Sequence, residues 1–200
     1  MLAIGNGESR ASIDIDKING PKVGCNALWR DYHTDYLVCV DRRMVDESVR
    51  GKVNLNDTLI YTREDWYDRY QRLPKVRKLP PLPYNGEQRW DEPFQWGSGP
   101  YAVFISALFA KEGYVNLIGF DLWSNTKQVN NIYKDSPNYD DANKRAVDPR
   151  YWLHQIGMVF NCFPKIQFTV YQTPSWELPK AWNYSNVSVD TLSNISYNNT

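Results

Sequence analysis

Short apolar segments alternate with polar or amphipathic stretches along most of the chain. Six of these segments are predicted to be β-strands: residues 2–4, 23–25, 36–40, 58–61, 115–120 and 167–171. The stretches between them have room for helices or loops, and this alternation is typical of an α/β protein. We therefore expect a mostly parallel sheet in which the strands over 2–4, 23–25, 36–40 and 115–120 lie side by side.

Two of the intervening stretches carry strong helix signals. Pro100 stands at a helix start, where its missing N–H costs nothing, and a helix is predicted over 101–112. A second helix, over 149–163, is predicted to open at Asp148, whose side chain would serve as the N-cap. Shorter helices are expected at residues 42–50 and 64–72. The prediction is a single α/β domain with helices on both faces of the sheet.

Two long connections and a polar tail interrupt this pattern. Residues 73–99 hold five of the twelve prolines, and residues 122–147 are polar and rich in Asn. Loops of this length inside a compact domain are usually functional or mobile. Residues 183–200 contain no Lys or Arg and are dominated by Asn and Ser, although Val187 and Val189 would suit an edge strand. We predict a domain over 1–182 and an arm over 183–200 that makes few contacts with its own core and instead mediates a homo-oligomer or a virion assembly.

Composition and charge exclude several classes of protein. The 200 residues carry 23 basic and 23 acidic side chains, so no net basic field is present to hold nucleic acid. The longest apolar stretch, 101–110, is too short for a membrane span. The first residues lack the basic segment and cleavage site of a signal peptide, which predicts a cytoplasmic protein. Three widely spaced cysteines fit neither a disulfide framework nor a zinc site.

Candidate binding residues fall at strand ends and at one helix start. They are Gly5, Asn6 and Gly7 after the first strand, Asn26 after the second, Asp41 after the third, Ser98 and Gly99 before the 101–112 helix, and Asp121 after the fifth strand. Carboxyl ends of parallel strands meet at one edge of a sheet, where ligands bind. We predict that Asn6, Asn26, Ser98 and Asp121 border one cleft. Two structural alternatives stay open: a tight turn that needs glycine at 5–7, and a helix cap at Asn26.

The order of these segments resembles a known family. The pieces are IGNGES at 4–9, GCN at 24–26, the stretch SGPYAVFISALFAKEGYVNLIGFD at 98–121, and a final helix followed by KIQFTVY. In this order they are similar to bacterial sialyltransferases of the α-2,3/2,8 type and to the related hydroxymethyl-dihydropterin pyrophosphokinase-like domains. The architecture that opens with GNGES also resembles short proteins encoded by bacteriophages.

The resemblance implies a Rossmann-like domain that binds a CMP-type nucleotide-sugar donor and transfers the sugar to a glycan acceptor. It places Gly5, Asn6 and Gly7 against the phosphate and ribose of the donor, with Asn26 also on the nucleotide. Ser98 and Gly99 would contact the base. Asp41 matches a position that is Asn in the family, and Trp123 matches a Tyr that faces the donor phosphate. Neither a metal nor a cofactor beyond the donor is implied.

The catalytic base departs from the family pattern. The family uses a His before the last helix, and Asp148 occupies that position here, with His154 six residues later. A carboxylate with an ordinary pKa near 4 is a weak base for a hydroxyl group. Asp148 and His154 are therefore the candidate catalytic residues, and loss of the chemistry is an open alternative.

The sequence alone leaves two other functions open. The first is a non-catalytic role in a phage, as a virion component or as a host-interaction protein. Such a protein would be found in the host cytoplasm or in the virion. This role would explain the missing base and the polar tail. A nucleotide kinase or pyrophosphokinase would need carboxylates that hold magnesium, and no convincing set stands out in the sequence.

Overall fold

Eight parallel β-strands form one sheet in the computed structural model of the chain, which describes residues 1–53, 57–124 and 126–197. The strands are β1 (Leu2–Ile4), β2 (Lys22–Cys25), β3 (Tyr36–Val38), β4 (Leu59–Thr62), β5 (Val76–Lys78), β6 (Gly113–Ile118), β7 (Ile166–Gln172) and β8 (Val187–Thr191). Their spatial order is β5-β4-β3-β2-β1-β6-β7-β8, and every neighbouring pair is parallel. The predicted Rossmann-like α/β fold is confirmed, with a sheet that is parallel throughout the described residues.

Four α-helices accompany the sheet in the described part of the chain: α1 (Arg42–Arg50), α2 (Glu64–Tyr70), α3 (Ser98–Ala110) and α4 (Arg150–Cys162). The start of α3 lies three residues before the predicted one, because Gly97 in extended geometry precedes the first turn. Helix α4 begins after Pro149. None of the helices in the described ranges is both long and apolar enough to cross a membrane.

Helix α3 is the centre of the core on one face of the sheet. Residues 100–107 are all buried, because the helix lies between the sheet strands on one side and α4 on the other. A helix that is apolar on all sides is stable only in such a buried position. On the opposite face, Met44 and Val45 of α1 pack against Leu37 and Ile60 of the sheet. Both faces are thus covered, as a wholly parallel sheet requires.

The strand order changes direction next to β1. The chain runs outward from β1 to β5, then returns through α3 to place β6 on the other side of β1. Such a reversal opens a crevice at the carboxyl ends of the two central strands, and open α/β proteins bind ligands there. The fold therefore directs attention to the residues that follow Ile4 and Ile118.

The long connections contain more structure than the sequence indicates. Strand β5 lies within the proline-rich segment 73–99 and pairs with β4 over three residues. Its short length and flanking prolines hide it from a pattern search. The segment 122–147 has no α-helix or ladder strand in its described part, where a single antiparallel bridge joins Gln128 and Arg145.

The expectation that the tail makes few contacts with the core is wrong over 183–197, the part that the structure describes. Strand β8 pairs with β7 along its whole length, and Ile195 is buried in a cluster with Leu2 and Ile4. A strand at the edge of a sheet is held by backbone hydrogen bonds, which polar side chains do not oppose. The proposed role of the tail in an assembly stays a prediction.

One buried side chain of the tail also binds carbonyl groups at the end of a helix. Asn186 is 6% exposed, and its Nδ2 donates to the carbonyl oxygens of Phe160, Phe163 and Ile166, each at 3.1 Å. Phe160 belongs to the last turn of α4, where carbonyl groups lack partners within the helix. The amide of Asn186 therefore joins the end of α4 to the start of β7.

We predict that Asn186→Ala lowers the free energy of unfolding by about 1–3 kcal/mol, because it removes the donor for three carbonyl groups in a buried place. Urea denaturation measures this difference. Asn183→Ala is the matched control, since Asn183 is exposed and its side chain makes no hydrogen bond to any described residue. Equal stability of the two variants would show that the tail does not support the core.

Candidate functional site

A cleft of about 410 Å³ opens at the carboxyl ends of β1 and β6. All of the binding residues predicted from the sequence line it: Gly5, Asn6, Gly7, Asn26, Asp41, Ser98, Gly99, Asp121 and Trp123. The convergence of Asn6, Asn26, Ser98 and Asp121 on one cleft is thus what the structure shows. Their assignment to a nucleotide donor remains a prediction, since no ligand contact is part of this observation.

Two glycines bring the ends of the central strands into contact. A Cβ atom on Gly5 would lie 2.3 Å from the carbonyl oxygen of Gly119, and one on Gly119 would lie 2.7 Å from the carbonyl oxygen of Gly5. Gly119 also has a φ of +69°, a conformation that favours glycine. Side chains at these positions would push β1 and β6 apart at the floor of the cleft.

The glycine loop is a closely fitted turn, and most of its amides are already bonded, although that of Asn6 has no acceptor among the described residues. The N–H groups of Gly5 and Gly7 donate to the carbonyl oxygens of Ile118 and Gly119, both at 2.9 Å. Those of Glu8 and Ser9 donate to the side chains of Asn130 and Asp121, at 2.8 and 2.9 Å. The amides of Gly5 and Gly7 are therefore occupied within the protein, as in a tight turn, and the contact of this loop with the donor phosphate and ribose stays a prediction.

Asp121 is a structural carboxylate at the end of this turn. It is 7% exposed and accepts from the amide and the hydroxyl of Ser9 and from Nε2 of Gln172. A Cβ on Gly7 would lie 2.4 Å from its carboxyl carbon, so glycine at position 7 makes room for this carboxylate. Asp121 thus holds the glycine loop against β7.

Asn6 and Arg10 form a buried hub beneath the cleft. Arg10 is 2% exposed, and its guanidinium donates to the carbonyl oxygen of Gly5 at 2.6 Å and to Oδ1 of Asn6 at 3.3 Å. Nδ2 of Asn6 donates to the carbonyl oxygen of Cys25 at 3.2 Å and to the Tyr139 hydroxyl at 3.3 Å. The side chain of Asn6 is therefore occupied by the protein itself, whereas Arg10 places a positive charge under the floor.

Helix α3 presents unbonded donors to the cleft. The hydroxyl of Ser98 accepts from the Val40 amide at 3.0 Å and donates to Oδ1 of Asn26 at 2.8 Å, which fixes the start of α3 against β2 and β3. The backbone N–H groups of Ser98 and Gly99 have no acceptor among the described residues. They lie in the first turn of a helix of 13 residues, where the helix dipole is positive.

The walls of the cleft are aromatic on some sides and acidic on others. Phe120, Trp123 and Trp152 contribute rings, while Asp41 and Asp140 contribute carboxylates. Asp140 pairs with Lys144 at 2.6 Å, whereas Asp41 has no ion-pair partner among the residues that the structure describes. No Lys or Arg is among the described residues that line the cleft. In the described ranges no three metal-ligating side chains come together.

Neither candidate catalytic residue lines the cleft. Asp148 is exposed and binds the amide of Arg150 at 3.0 Å and its guanidinium at 2.8 Å, and these hydrogen bonds, the backbone one first, lower the pKa of its carboxyl group. The prediction that Asp148 is the N-cap of α4 is wrong, because Pro149 occupies that position and Asp148 lies one residue before it, bonded to the amide of Arg150. A carboxylate stabilised as the anion is a poorer base.

His154 serves a different contact. Its Nε2 lies 2.5 Å from Oδ1 of Asp91, and the Tyr84 hydroxyl donates to the same oxygen at 3.0 Å. Burial opposes ionisation of Asp91, but the bonds from His154, the Gln88 amide and Tyr84 outweigh it and lower the pKa of this carboxyl group. The pair ties the proline-rich segment to α4, so His154 has a structural partner away from the cleft.

Several residues of the site have no role in the sequence prediction, and Arg10, Tyr139 and Trp152 are among them. Arg10 stands where the dinucleotide motif has its third glycine. A charged residue at that place beside a glycine loop is the sequence feature that could have identified Arg10 as part of the site. The hydroxyl of Tyr139 accepts a hydrogen bond from the Ala27 amide at 3.2 Å, and burial raises the pKa of this hydroxyl. No sequence pattern in the Asn-rich segment marks Tyr139 as a site residue.

Fold and cleft together define a Rossmann-like α/β protein with a ligand-sized crevice at its topological switch point. Comparison with protein-family models, with curated proteins and with solved structures found no match to this chain. The class of protein therefore follows from the geometry alone.

We predict that Gly5→Ala lowers the free energy of unfolding by about 1–3 kcal/mol, because the new methyl group overlaps the Gly119 carbonyl oxygen. Gly99→Ala is the control: its Cβ meets only the Phe120 ring, at 3.5 Å, so it should raise stability by about 0.5–1 kcal/mol as helical Gly→Ala changes do. Chemical denaturation of both variants measures the difference. A Gly5→Ala protein as stable as the native chain would contradict the close approach of β1 and β6.

Proposed function

We propose that the cleft binds a nucleotide-sugar donor of the CMP type and that the chain is a glycosyltransferase-like protein. The observation that carries this proposal is the pair of unbonded amides of Ser98 and Gly99 at the start of α3. Free N–H groups and the positive end of a helix dipole form a common binding site for phosphate. In this chain they face a crevice at the switch point of the sheet, where nucleotides bind in folds of this kind.

The size and lining of the cleft suit a nucleotide. Its volume of about 410 Å³ falls within the range of small-molecule sites. Trp152 packs closely against Gly97, so an aromatic ring lies next to the phosphate position at the start of α3. Ser98 uses only Oδ1 of Asn26, and Nδ2 has no acceptor in the described part of the chain, so it can donate to a ligand. A ligand with one anionic, one polar and one planar part matches these groups.

The charge of the cleft favours a donor with a single phosphate. The carboxylates of Asp41, Asp121 and Asp140 line it. Of the positive charges described above, Lys144 is already paired with Asp140, and the guanidinium of Arg10 is buried beneath the floor. A diphosphate or triphosphate would bring more negative charge than one guanidinium and a helix terminus offset. A CMP-sugar carries one phosphate charge, which supports the CMP type that the family resemblance implies over nucleoside diphosphate sugars.

A second candidate function is binding without transfer, as in a virion or host-interaction protein that keeps the fold. The observation in its favour is that Asp148 and His154 stand outside the cleft, each with a partner of its own. For transfer, a carboxylate on the wall, Asp41 or Asp140, would have to deprotonate the acceptor hydroxyl. An active enzyme therefore requires a base other than the two that the sequence suggested.

The test of the phosphate position uses Gly99→Asp, with Gly99→Asn as its neutral control of similar shape. An acidic side chain in the first turn interacts favourably with the helix dipole but repels a phosphate at the same place. We expect CMP to raise the melting temperature of the native protein and of Gly99→Asn, and to raise that of Gly99→Asp much less. Binding to the folded state alone produces this rise.

The same thermal-shift series with CMP, CDP, UDP and GDP tests the donor class. The proposal expects the largest shift with CMP, because the cleft offers little positive charge for a second phosphate. Equal rises in the melting temperature of the Gly99→Asp and Gly99→Asn proteins with CMP would contradict a phosphate site at the start of α3. The absence of a shift with any nucleotide would contradict nucleotide binding altogether.

A further inference from the structure

A pair of stacked tryptophans stands at the rim of the cleft. The rings of Trp123 and Trp176 are nearly parallel, with an angle of 10° between their planes and 5.8 Å between their centroids. Trp176 is held in turn by its indole N–H, which donates to the carbonyl oxygen of Asp121 at 3.1 Å. Trp123 lines the cleft and is 38% exposed. One face of its ring is thus backed by Trp176, and the residue still offers a large apolar surface to solvent.

The backbone before Trp123 is held in an unfavourable conformation. Leu122 has a φ of +67°, in the left-handed region that leucine rarely adopts. The turn that follows is fixed by the Trp123 amide, which donates to the Asp121 carbonyl oxygen at 2.8 Å, and by Asn130 Nδ2, which donates to the Trp123 carbonyl oxygen at 3.1 Å. Strain of this kind persists where the surroundings impose it, and it is concentrated at functional sites.

Neutral hydrogen-bonding groups share the cleft with Trp123 or follow it in the chain. Asn131 also lines the cleft, and its Oδ1 accepts the Tyr133 amide while its Nδ2 has no partner among the described residues. The hydroxyls of Ser124 and Thr126 lie 2.9 Å apart just after Trp123. An exposed aromatic face beside amide and hydroxyl groups has an apolar part and several neutral polar parts. That combination matches a ligand with one apolar face and many hydroxyl groups.

We propose that Trp123, backed by Trp176, is the platform on which a sugar ring of the glycan acceptor stacks. The face of an indole carries negative charge density, and the C–H bonds on one face of a pyranose are polarised positively by the neighbouring oxygens. The hydroxyl groups at the ring edge then reach amides such as that of Asn131. This inference rests on the proposed function, because it assigns the second substrate of the same cleft.

The position at the rim favours the acceptor over the nucleotide. A nucleobase would also stack on an indole. The amides that suit the phosphate of a nucleotide, however, are at the start of α3. That position lies beside Trp152, not in the turn that carries Trp123. A glycan longer than one ring must leave the cleft toward solvent, and Trp123 is exposed there. We therefore assign the start of α3 to the donor and Trp123 to the acceptor, in place of the contact with the donor phosphate that the family resemblance implies for Trp123.

The experiment is saturation-transfer difference NMR with a panel of methyl glycosides of galactose, glucose, mannose and N-acetylglucosamine, without and with saturating CMP. It compares the native protein with Trp123→Ala and with Trp123→Phe, which keeps an aromatic face. Tyr114→Ala is the matched control, since Tyr114 is 71% exposed and lies near the amino end of β6, away from the cleft. Melting curves with CMP are recorded for every variant.

We expect at least one glycoside to bind the native protein, Trp123→Phe and Tyr114→Ala, and the dissociation constant to rise about tenfold or more in Trp123→Ala. The melting shift with CMP should be the same in Trp123→Ala and in the native protein. Glycoside binding that is unchanged in Trp123→Ala, or absent from the native protein, would overturn the platform.

Two further results separate this inference from the proposed function. A CMP shift that disappears in Trp123→Ala would make Trp123 part of the donor site, which overturns the platform and leaves nucleotide binding intact. Glycoside binding through Trp123 with no response to any nucleotide would retain the platform and contradict the proposed donor.

Discussion

The contact between Gly5 and Gly119 is the constraint on which the rest of the cleft depends. It lets the backbones of β1 and β6 meet where the order of the sheet reverses, and every other group of the site is placed from there. The turn after Gly5 carries Asn6 over Arg10 and brings Ser9 to Asp121. Asp121 in turn binds Gln172 of β7 and, through its carbonyl oxygen, Trp176. A close backbone contact thus connects the floor of the cleft with its aromatic rim.

This arrangement separates rigid parts of the cleft from parts that are free to bind. The amides of Gly5 and Gly7, the side chain of Asn6 and the carboxylate of Asp121 are hydrogen-bonded to other parts of the protein, so these groups shape the cleft rather than offer donors to a ligand. The start of α3 is different, because the Ser98 side chain fixes the helix while the backbone amides of Ser98 and Gly99 bind no acceptor within the ranges that the structure describes. Preorganised donors of this kind bind an anion without first breaking bonds within the protein.

Much of the fold followed from local pattern, whereas the function of individual groups did not. The apolar segments located most of the sheet, and the rule that parallel strands meet at one edge brought the candidate residues to one cleft. Strand β5 was hidden by its three-residue length. Val187 and Val189 suggested an edge strand, but the polar composition of the tail did not indicate that backbone hydrogen bonds join it to β7. The bonded state of the Gly5 and Gly7 amides depends on Ile118 and Gly119, which are more than a hundred residues away in the chain. The position of these glycines after the first strand predicted that they lie at the cleft, but it could not show that their amides are occupied.

The most direct test of the central claim is a titration with CMP followed by the backbone amide signals in a ¹H–¹⁵N correlation spectrum. A phosphate at the start of α3 should move the signals of Ser98 and Gly99 most, because these N–H groups gain an acceptor. The signals of Gly5 and Gly7 should move much less, because their N–H groups already donate to Ile118 and Gly119. Larger shifts at Gly5 and Gly7 than at Ser98 and Gly99, or no shifts in any of the four, would contradict this account of the cleft.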